Sequence, residues 1–482
     1  MKAILICNVG GRDLVCATFA RGKEPERMWA ETALARYAEL RPHFALPIIE
    51  KALHYLAIQQ FELEQIVLIA SDQSPQASEH FWQSDTIISA QIIQRLLSDG
   101  YRDFPPVDRE RIAIWTIADE CGQGADPSDY DQTLRFLERQ LPALAERYPA
   151  CSVFLEVTGG TPAMTTGLLI AGTEVFGGRA EVLSIHPRQP LPQAINTGRR
   201  LLAAPLRATL RSNAATYAYA AAARTFLEHE AIITDRLDPT AKGLIAPLLA
   251  YAHHRFNFDL VNARRALEQT HPSPQWQADI ADLLAQVTNP DREARLAEVI
   301  HGASARYQIG LYADFLTQVV RFEENLLRLL CLQRDVVFIN RQWQRDNDGA
   351  FIDRQWLNQR SFTLQRDRDP NRHLAADRST LRELLRHLAR ERSESLADLF
   401  TAIDRLDALI KRRNELTHHL GGVQKIGLAR AFAGPNAPAS AADDIVPHLQ
   451  KLYEHVCGKQ FPPSPYQRIN QLLDRLLARR SA

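Results

Sequence analysis

Cysteine is scarce in this sequence of 482 residues, and the six cysteines lie far apart in the chain. They are Cys7, Cys16, Cys121, Cys151, Cys331 and Cys457, and no two of them form a CxxC pair. This sparse distribution excludes a disulfide framework and a zinc ribbon, and it is typical of a reducing compartment. We therefore expect a cytoplasmic protein without a metal site.

Long apolar runs and an excess of charge are also missing. No apolar stretch approaches the ~18 residues that a membrane helix requires, and the run at 3–7 is too short for a signal peptide. The 57 Lys and Arg residues balance the 57 Asp and Glu residues. This balance argues against a nucleic-acid coat over the whole surface, although a local basic groove remains compatible with it. We expect no membrane partner.

Two cofactor fingerprints are absent. No GxGxxG motif opens the first predicted helix, which disfavours NAD, and no GxxxxGK[ST] motif occurs, which disfavours a P-loop. The composition is that of a globular chain, with 45% hydrophobic and 24% charged residues, which excludes disordered and collagen-like proteins. At ~150 residues per domain, the length predicts about three structural units.

Short apolar runs alternate with amphipathic segments in the first 190 residues. The runs are 3–7, 65–70, 111–117, 152–157 and 180–185, and the helical segments are 44–59, 84–97, 129–146 and 162–176. Short runs that are rich in Ile and Val and apolar on both faces are typical of buried parallel strands. Their alternation with helices predicts a doubly wound α/β sheet with helices on both faces.

The rest of the chain has a helical pattern. Residues 187–205 carry four prolines and are interpreted as a connector, and 206–482 are predicted to be all-helical, with a polar insertion at 334–377. We predict a ligand-sensing α/β domain over 1–190, a linker with connecting helices over 191–304, and a helical domain over 305–482.

Polar residues follow the predicted strands, where an open parallel sheet binds its ligands. The segment 158–164 is the most informative, because Gly159 and Gly160 let a backbone approach a ligand, Thr161 suits an N-cap, and Pro162 suits a first helical position. This turn directs a helix N-terminus at the crevice, which predicts an anion or phosphate site.

Side chains at the other strand ends could complete this site. Arg12 and the hydroxyls of Ser71 and Thr158 could contact phosphate or ribose. The alternative is that the glycines only form tight turns, and for Gly10 and Gly11 alone the two interpretations are equal. The polar strand ends together favour a nucleotide-type ligand.

A second informative segment lies at 396–420. Leu396, Leu399, Ile403, Leu406 and Ile410 share one face of a predicted continuous helix. The same spacing puts Arg413 on that apolar face, where an unpartnered guanidinium is costly. The face should therefore open there onto a cleft, a partner chain or an anion.

Asn414 and His418 lie close to Arg413 in the same segment. A second copy of the helix across a two-fold axis would bring two Arg, two Asn and two His residues into one groove. Such a set suits metal-free RNA cleavage, in which His moves a proton, Arg stabilises the phosphorane, and Asn orients the His or the Arg side chain. The alternative is a solvated helix end, since basic residues favour a helix C-terminus and Gly421 supplies a stop.

The two segments together resemble the CARF–HEPN ribonucleases of type III CRISPR systems. The N-terminal half resembles a CARF domain, a Rossmann-like sensor, through 8–13 and 158–164, and 413–418 resembles the Arg-x(4–6)-His motif of a HEPN domain. The resemblance implies a CARF dimer that binds a cyclic oligoadenylate messenger and switches on a HEPN dimer that cuts single-stranded RNA.

The resemblance also implies roles for individual residues. The implied messenger-binding residues are Asn8, Gly10, Gly11, Arg12, Ser71, Asp72, Thr158, Gly159, Gly160, Thr161 and Met164. Arg413 and His418 would be catalytic, with Asn414 in support, while Arg412 and His419 offer competing registers of the same motif.

We therefore expect a homodimeric, metal-independent endoribonuclease that is activated by cyclic oligoadenylate. The main alternative is a non-catalytic nucleotide-sensing regulator whose helical domain binds a protein or DNA. A third possibility is that the sheet domain itself degrades a cyclic nucleotide. Glu323 and Glu324 could contact the catalytic Arg across the bundle, or form an ordinary exposed pair.

Overall fold

The computed structural model describes residues 1–74, 79–186, 188–342, 344–360, 373–418 and 422–478. The chain divides into two compact units. Unit 1 comprises Met1–Thr209 and Thr225–Arg236, and unit 2 comprises Leu210–Arg224 and Leu237–Ala482. The domain boundaries expected near 190 and 304 stay predictions. Among the helices in the described ranges, none has both the length and the apolar character needed to cross a membrane.

Unit 1 is built around a six-stranded sheet. Its strands are β1 (Lys2–Asn8), β2 (Glu62–Ala70), β3 (Ile112–Thr116), β4 (Ser152–Glu156), β5 (Ala180–Ser184) and β6 (Gln193–Ile195). They lie in the order β3-β2-β1-β4-β5-β6, and all neighbours are parallel except β5 and β6. The predicted α/β sheet is confirmed, and the ends of β2, β1 and β4 meet at one edge.

Strand β6 corrects the interpretation of 187–205 as a connector only. Ala194 pairs with Leu183 of β5 in an antiparallel register. Three residues within a proline-rich stretch are too few to show a strand periodicity, and their pairing depends on a neighbouring strand that is already in place.

Helices cover both faces of the sheet, as the alternating pattern predicted. The helices of this part of the chain are Glu26–Ala35, Tyr37–Leu40, Ile49–Ile58, Glu79–Gln83, Ile87–Ser98, Tyr130–Arg147, Pro162–Phe176, Thr197–Ala215 and Tyr219–Ile233. One core contains Trp29 and Ile92 from helices on the first face, and a second core contains Phe136 and Leu168 from helices on the other. A short hairpin pairs Val15–Cys16 with Phe44–Ala45.

Unit 2 is almost entirely helical. Its helices are Pro239–Phe256, Leu260–Glu268, Pro274–Val287, Arg292–Gln308, Tyr312–Leu332, Arg354–Asn358, Arg378–Glu391, Ala397–Asp404, Asp407–His418, Lys425–Ala433, Ile445–Cys457 and Pro465–Leu476. A small antiparallel sheet of Phe338–Ile339, Phe351–Ile352 and Leu374–Ala375 lies within the predicted polar insertion.

The continuous helix predicted over 396–420 is wrong. The chain forms the two helices Ala397–Asp404 and Asp407–His418, which are separated by a turn at 405–406. The turn allows Leu406 and Leu409 to be fully buried together with Ile403. It also puts Asp407 in the first turn of the second helix, where a carboxylate interacts favourably with the helix dipole.

Candidate functional site

The turn after β4 and the helix that follows it form the first candidate site. Thr161 caps the helix Pro162–Phe176, because its hydroxyl accepts a hydrogen bond of 3.2 Å from the Met164 N–H. Pro162 is the first helical residue, as the sequence predicted. The N–H groups and the dipole at this helix end favour an anion.

Three glycines of this site allow two loops to pack against each other. A Cβ atom on Gly10 would lie 2.6 Å from the Gly160 N atom, and one on Gly159 would lie 2.5 Å from the Asn8 O atom. Gly160 also has a φ of +79°, a left-handed conformation that favours glycine. These glycines therefore let the loop after β1 contact the turn after β4. From the sequence alone, this packing role could not be distinguished from a role in contacting a ligand.

Two buried carboxylates hold the glycine loops in place. Asp13 accepts a hydrogen bond of 2.7 Å from the Gly10 N–H, and Glu156 accepts one of 2.6 Å from the Thr158 N–H. Burial raises the pKa of Glu156 to about 7, although its hydrogen bonds with Thr158 and Gly159 act in the opposite direction. Burial also raises the pKa of Asp13 well above its usual range, and the nearby Glu156 carboxylate adds to this effect.

Neither carboxylate was among the candidates from the sequence. Glu156 ends a strand in which Val153, Phe154 and Leu155 are fully buried. A charged residue in such a run was the one available signal, because a buried carboxylate requires a hydrogen-bonding partner. That partner is the backbone of the turn itself, which a sequence pattern cannot identify.

Two cavities open beside the glycine loops, with volumes of about 680 Å³ and about 200 Å³. Among the predicted ligand-binding residues, Gly10, Gly11, Arg12, Thr158, Gly159 and Gly160 line the larger cavity, and Gly10, Gly11, Ser71, Gly160, Thr161 and Met164 line the smaller one. The structure therefore brings nine of the eleven predicted residues to two adjoining spaces at the carboxyl edge of the sheet.

Asn8 and Asp72 are not part of these two cavity walls. Asn8 is fully buried, and within the described residues its side-chain amide atoms have no hydrogen-bond partner. The exposed Asp72 forms an ion pair with Arg27, whose guanidinium lies 4.7 Å from the centre of the Trp82 ring. Asp72 therefore orients an arginine at the strand end, whereas its predicted contact with a ligand stays a prediction.

The predicted hydroxyls already serve the fold as acceptors. The Ser71 hydroxyl accepts a hydrogen bond of 3.2 Å from the Thr86 N–H, and the Thr158 hydroxyl accepts one of 2.7 Å from the Ile185 N–H. The Ser71 hydroxyl keeps its own proton and can still donate to an anion, whereas the Thr158 hydroxyl is also hydrogen-bonded to the Glu156 carboxylate. The fold thus orients both groups before any ligand arrives.

Cationic side chains line the larger cavity. Arg12 is exposed, and Lys51 donates a hydrogen bond of 3.2 Å to the His186 O atom. Arg21, which pairs with the buried Glu26, lies in the same wall. Of these cations only Arg12 was predicted, because nothing in the local sequence connects Lys51 or Arg21 with the glycine loops.

The second candidate site lies at the end of the helix Asp407–His418. Arg413 is half-buried between exposed neighbours, as expected for a residue in phase with Leu406 and Ile410. Its Nη1 atom lies 3.3 Å from the Asn414 Oδ1 atom, so the structure brings these two predicted residues together. The exposed Arg412 instead pairs with Glu415 at 3.2 Å.

The predicted catalytic histidine is described only in part. The backbone of His418 is the last residue of the helix, and its side chain lies outside the described residues. His419, which offers the competing register, also lies outside them. The catalytic assignment of His418 therefore stays a prediction.

A buried ion network holds the opposite end of this helix. The Glu323 carboxylate is fully buried and accepts a hydrogen bond of 2.6 Å from Arg378, and Arg382 approaches it to 3.7 Å. Both arginines also pair with Asp407, and Arg382 pairs with Asp404. Burial raises the pKa of Glu323 even though both arginines lower it.

This network corrects one of the two interpretations of Glu323 and Glu324. Glu323 is buried and paired, so the two residues are not an ordinary exposed pair, although Glu324 itself is exposed. Across the part of the chain that the structure describes, no group of three or more His, Cys, Asp or Glu side chains could hold a metal ion.

Comparisons with known proteins identify the fold. No protein-family model matches the chain, and no curated protein matches it either. The chain is similar to the solved structure of Enterococcus italicus Csm6 bound to cyclic hexa-2'-fluoro-hexa-dAMP, with 15% sequence identity and a TM-score of 0.59. The match covers 99% of each chain, so the two proteins share a fold from end to end.

Proposed function

We propose that this chain is an endoribonuclease that a cyclic oligoadenylate activates and that cleaves single-stranded RNA without a metal ion. It would act as a cytoplasmic homodimer in CRISPR antiviral defence. The observation that carries the proposal is the shared fold with Csm6 over 99% of both chains, because that structure contains a cyclic adenylate hexamer analogue. This ligand belongs to the class that the CARF resemblance implies.

The activator would bind at the glycine loops of unit 1. The larger cavity presents Arg12 and Lys51, which suit phosphate groups, and the adjoining smaller one is lined by the helix cap Thr161. A cyclic hexa-adenylate is the first ligand to test. This ligand would activate RNA cleavage only if it bound the active arrangement of the dimer more tightly than the inactive one.

RNA cleavage would take place at the end of the helix Asp407–His418. One His418 takes the proton of a ribose 2'-OH, and the 2' oxygen attacks the adjacent phosphorus while the bond to the 5' oxygen breaks. A second histidine, from the partner copy, returns a proton to the leaving oxygen. Arg413 stabilises the charge on the phosphorane, and Asn414 orients the Arg413 guanidinium that it contacts. The products are a 2',3'-cyclic phosphate and a 5'-hydroxyl.

The proposal is tested with a fluorescent single-stranded RNA in EDTA, with and without cyclic hexa-adenylate. We expect the wild type to cleave only with the activator, and the Arg413→Ala/His418→Ala variant to be inactive although it still binds the activator. The proposal would be contradicted if the wild type stayed inactive with every cyclic oligoadenylate tested. It would also be contradicted if cleavage required Mg²⁺. An inert protein that still binds the ligand would be a non-catalytic regulator.

A further inference from the structure

A cavity in unit 2 is rich in arginine and belongs to neither candidate site. It has a volume of about 630 Å³, a size typical of small-molecule sites. Its walls come mainly from the helices Leu260–Glu268, Arg292–Gln308 and Tyr312–Leu332, with further residues from 258–259, 287–290 and Asp348. Five arginines line it, namely Arg264, Arg265, Arg292, Arg295 and Arg321.

Most of the carboxylates in this cavity are already paired. Glu298 accepts hydrogen bonds of 2.9 Å and 2.7 Å from the buried Arg255, which lies outside the cavity wall. Asp259 accepts one of 2.6 Å from Asn262. The negative charge of Glu298 is therefore balanced by Arg255, whereas Asp259 binds a neutral amide and keeps its charge.

The remaining two carboxylates pair with arginines of the wall. Asp348 is shared by Arg292 and Arg295, at 2.6 Å and 3.4 Å. Glu268 pairs with Arg264 at 2.6 Å along one helix. Each carboxylate is thus engaged, and one of them balances two guanidinium groups.

Arg265 and Arg321 have no carboxylate partner among the described residues. The Arg265 guanidinium lies 3.4 Å from the Asn262 Oδ1 atom, and that of Arg321 lies 4.7 Å from the centre of the Phe258 ring. Both side chains are exposed. They present two planar sets of N–H donors without a counter-ion, which is the geometry that binds phosphate in a bidentate manner.

The other part of the cavity wall is apolar. Phe258, Leu260, Val261, Val287 and Leu296 contribute to it. An apolar and aromatic wall beside unpaired guanidinium groups can accept a nucleobase on one side and its phosphate on the other. An apolar ligand alone would leave the two arginines without partners.

We propose that this cavity binds a phosphate-bearing nucleotide unit, with the phosphate on Arg265 and Arg321 and the base against the apolar wall. The unit is either a free nucleotide or one position of a single-stranded RNA. The assignment of the ligand as RNA depends on the proposed function, whereas its assignment as a free nucleotide does not.

Photo-crosslinking to the full-length protein without activator tests this site. The probes are 8-azidoadenosine 5'-triphosphate and a single-stranded RNA octamer that contains 4-thiouridine, and the labelled peptides are identified by mass spectrometry. We expect labelled peptides from residues 256–300 or 312–332. Labelling by the RNA probe alone would indicate that the ligand is a segment of RNA, and labelling by the azido probe alone would indicate a free nucleotide. Since neither probe requires cleavage, a failure here leaves the proposed function intact.

Substitutions connect the label to the arginines. Because a hydrogen bond to a charged group contributes about 1.5–3 kcal/mol, Arg265→Gln/Arg321→Gln should reduce labelling about tenfold or more. Val261→Asp should also reduce it, because it adds a negative charge at an exposed position of the wall and removes no polar contact. The matched control is Arg468→Gln/Arg475→Gln, which changes two exposed arginines that pair with Asp279 elsewhere in unit 2.

The outcomes separate clearly. The proposal is supported if the control labels like the wild type while both cavity variants lose label. It is overturned if neither probe labels these segments, or if the label persists in both cavity variants.

Discussion

The glycine loops of unit 1 and the end of the helix Asp407–His418 in unit 2 differ in how their polar groups are held. At the loops, Asp13 and Glu156 are buried and accept hydrogen bonds from backbone N–H groups. At the helix end, Arg413 contacts Asn414 and Arg412 pairs with Glu415, and Arg412 and Asn414 are exposed. The first site is thus organised by one chain, whereas the second offers groups that a second copy could complete.

The largest expected effect tests the helix end. If Arg413 has the proposed role of stabilising the transition-state charge, Arg413→Ala should lower RNA cleavage by about 10²–10³-fold. Arg412→Ala should change the rate by less than about threefold, since an exposed ion pair contributes little. Single-turnover cleavage with saturating activator measures both rates. An equal loss in Arg412→Ala would shift the catalytic register by one residue.

The next effect tests how tightly the glycine loops are packed. Gly159→Ala should lower the free energy of unfolding by about 3 kcal/mol, since the added Cβ would meet both the Asn8 O atom and the Asp13 carboxylate at 2.6 Å or less. Gly178→Ala is the matched control, because a Cβ there has no neighbour within 4 Å. Chemical unfolding measures the stability of both variants. If Gly159→Ala had the same free energy of unfolding as the wild type, the loops would not be fixed by this contact.

A comparable loss is expected at the buried end of the helix Asp407–His418. Glu323→Gln should destabilise the protein by about 3 kcal/mol, because Arg382 is buried and Arg378 partly buried beside the lost charge. Glu324→Gln, at the exposed neighbouring position, should cost less than about 0.5 kcal/mol. Thermal unfolding distinguishes the two, and equal effects would mean that the network does not anchor the helix.

The smallest effect is a pH dependence at Glu156. Its pKa is raised to about 7 in the folded protein, so folding favours the protonated carboxyl. The contribution of Glu156 to stability is therefore fully present below its usual pKa and falls as the pH rises toward 7. Glu156→Gln should gain about 2 kcal/mol of stability relative to the wild type between pH 5 and pH 8.

Denaturant unfolding at pH 5 and pH 8 measures this gain. Glu174→Gln, which changes an exposed glutamate in the same unit, serves as the control and should show no such gain. Parallel pH profiles for the wild type and Glu156→Gln would mean that the pKa of this carboxyl is not raised in the folded protein.

The features that the sequence predicted correctly are mostly local. The parallel strands follow from short runs that are apolar on both faces, and the cap at Thr161 followed by Pro162 depends on adjacent residues. The half-buried position of Arg413 follows from its spacing to Ile410 within one helix. These signals survive because few long-range contacts compete with them.

The features that were missed depend on distant contacts. The spacing of Leu399, Ile403 and Ile410 is compatible with an unbroken helix, yet the chain turns at 405–406, where Asp404 and Asp407 pair with arginines of another helix. The sequence could not reveal those partners. The roles of Asp13 and Glu156 were missed for a similar reason, because they bind backbone groups that carry no sequence signature.

The contact between Gly10 and Gly160 has a consequence for evolution. A side chain on Gly10 would displace the backbone of Gly160, and Gly160 has a left-handed φ of +79° that favours glycine, so two short motifs that lie far apart in the chain constrain each other. Relatives that replace one glycine should show a compensating insertion or deletion in the opposite loop. A glycine signature of this kind can therefore persist in a lineage even after its ligand has changed.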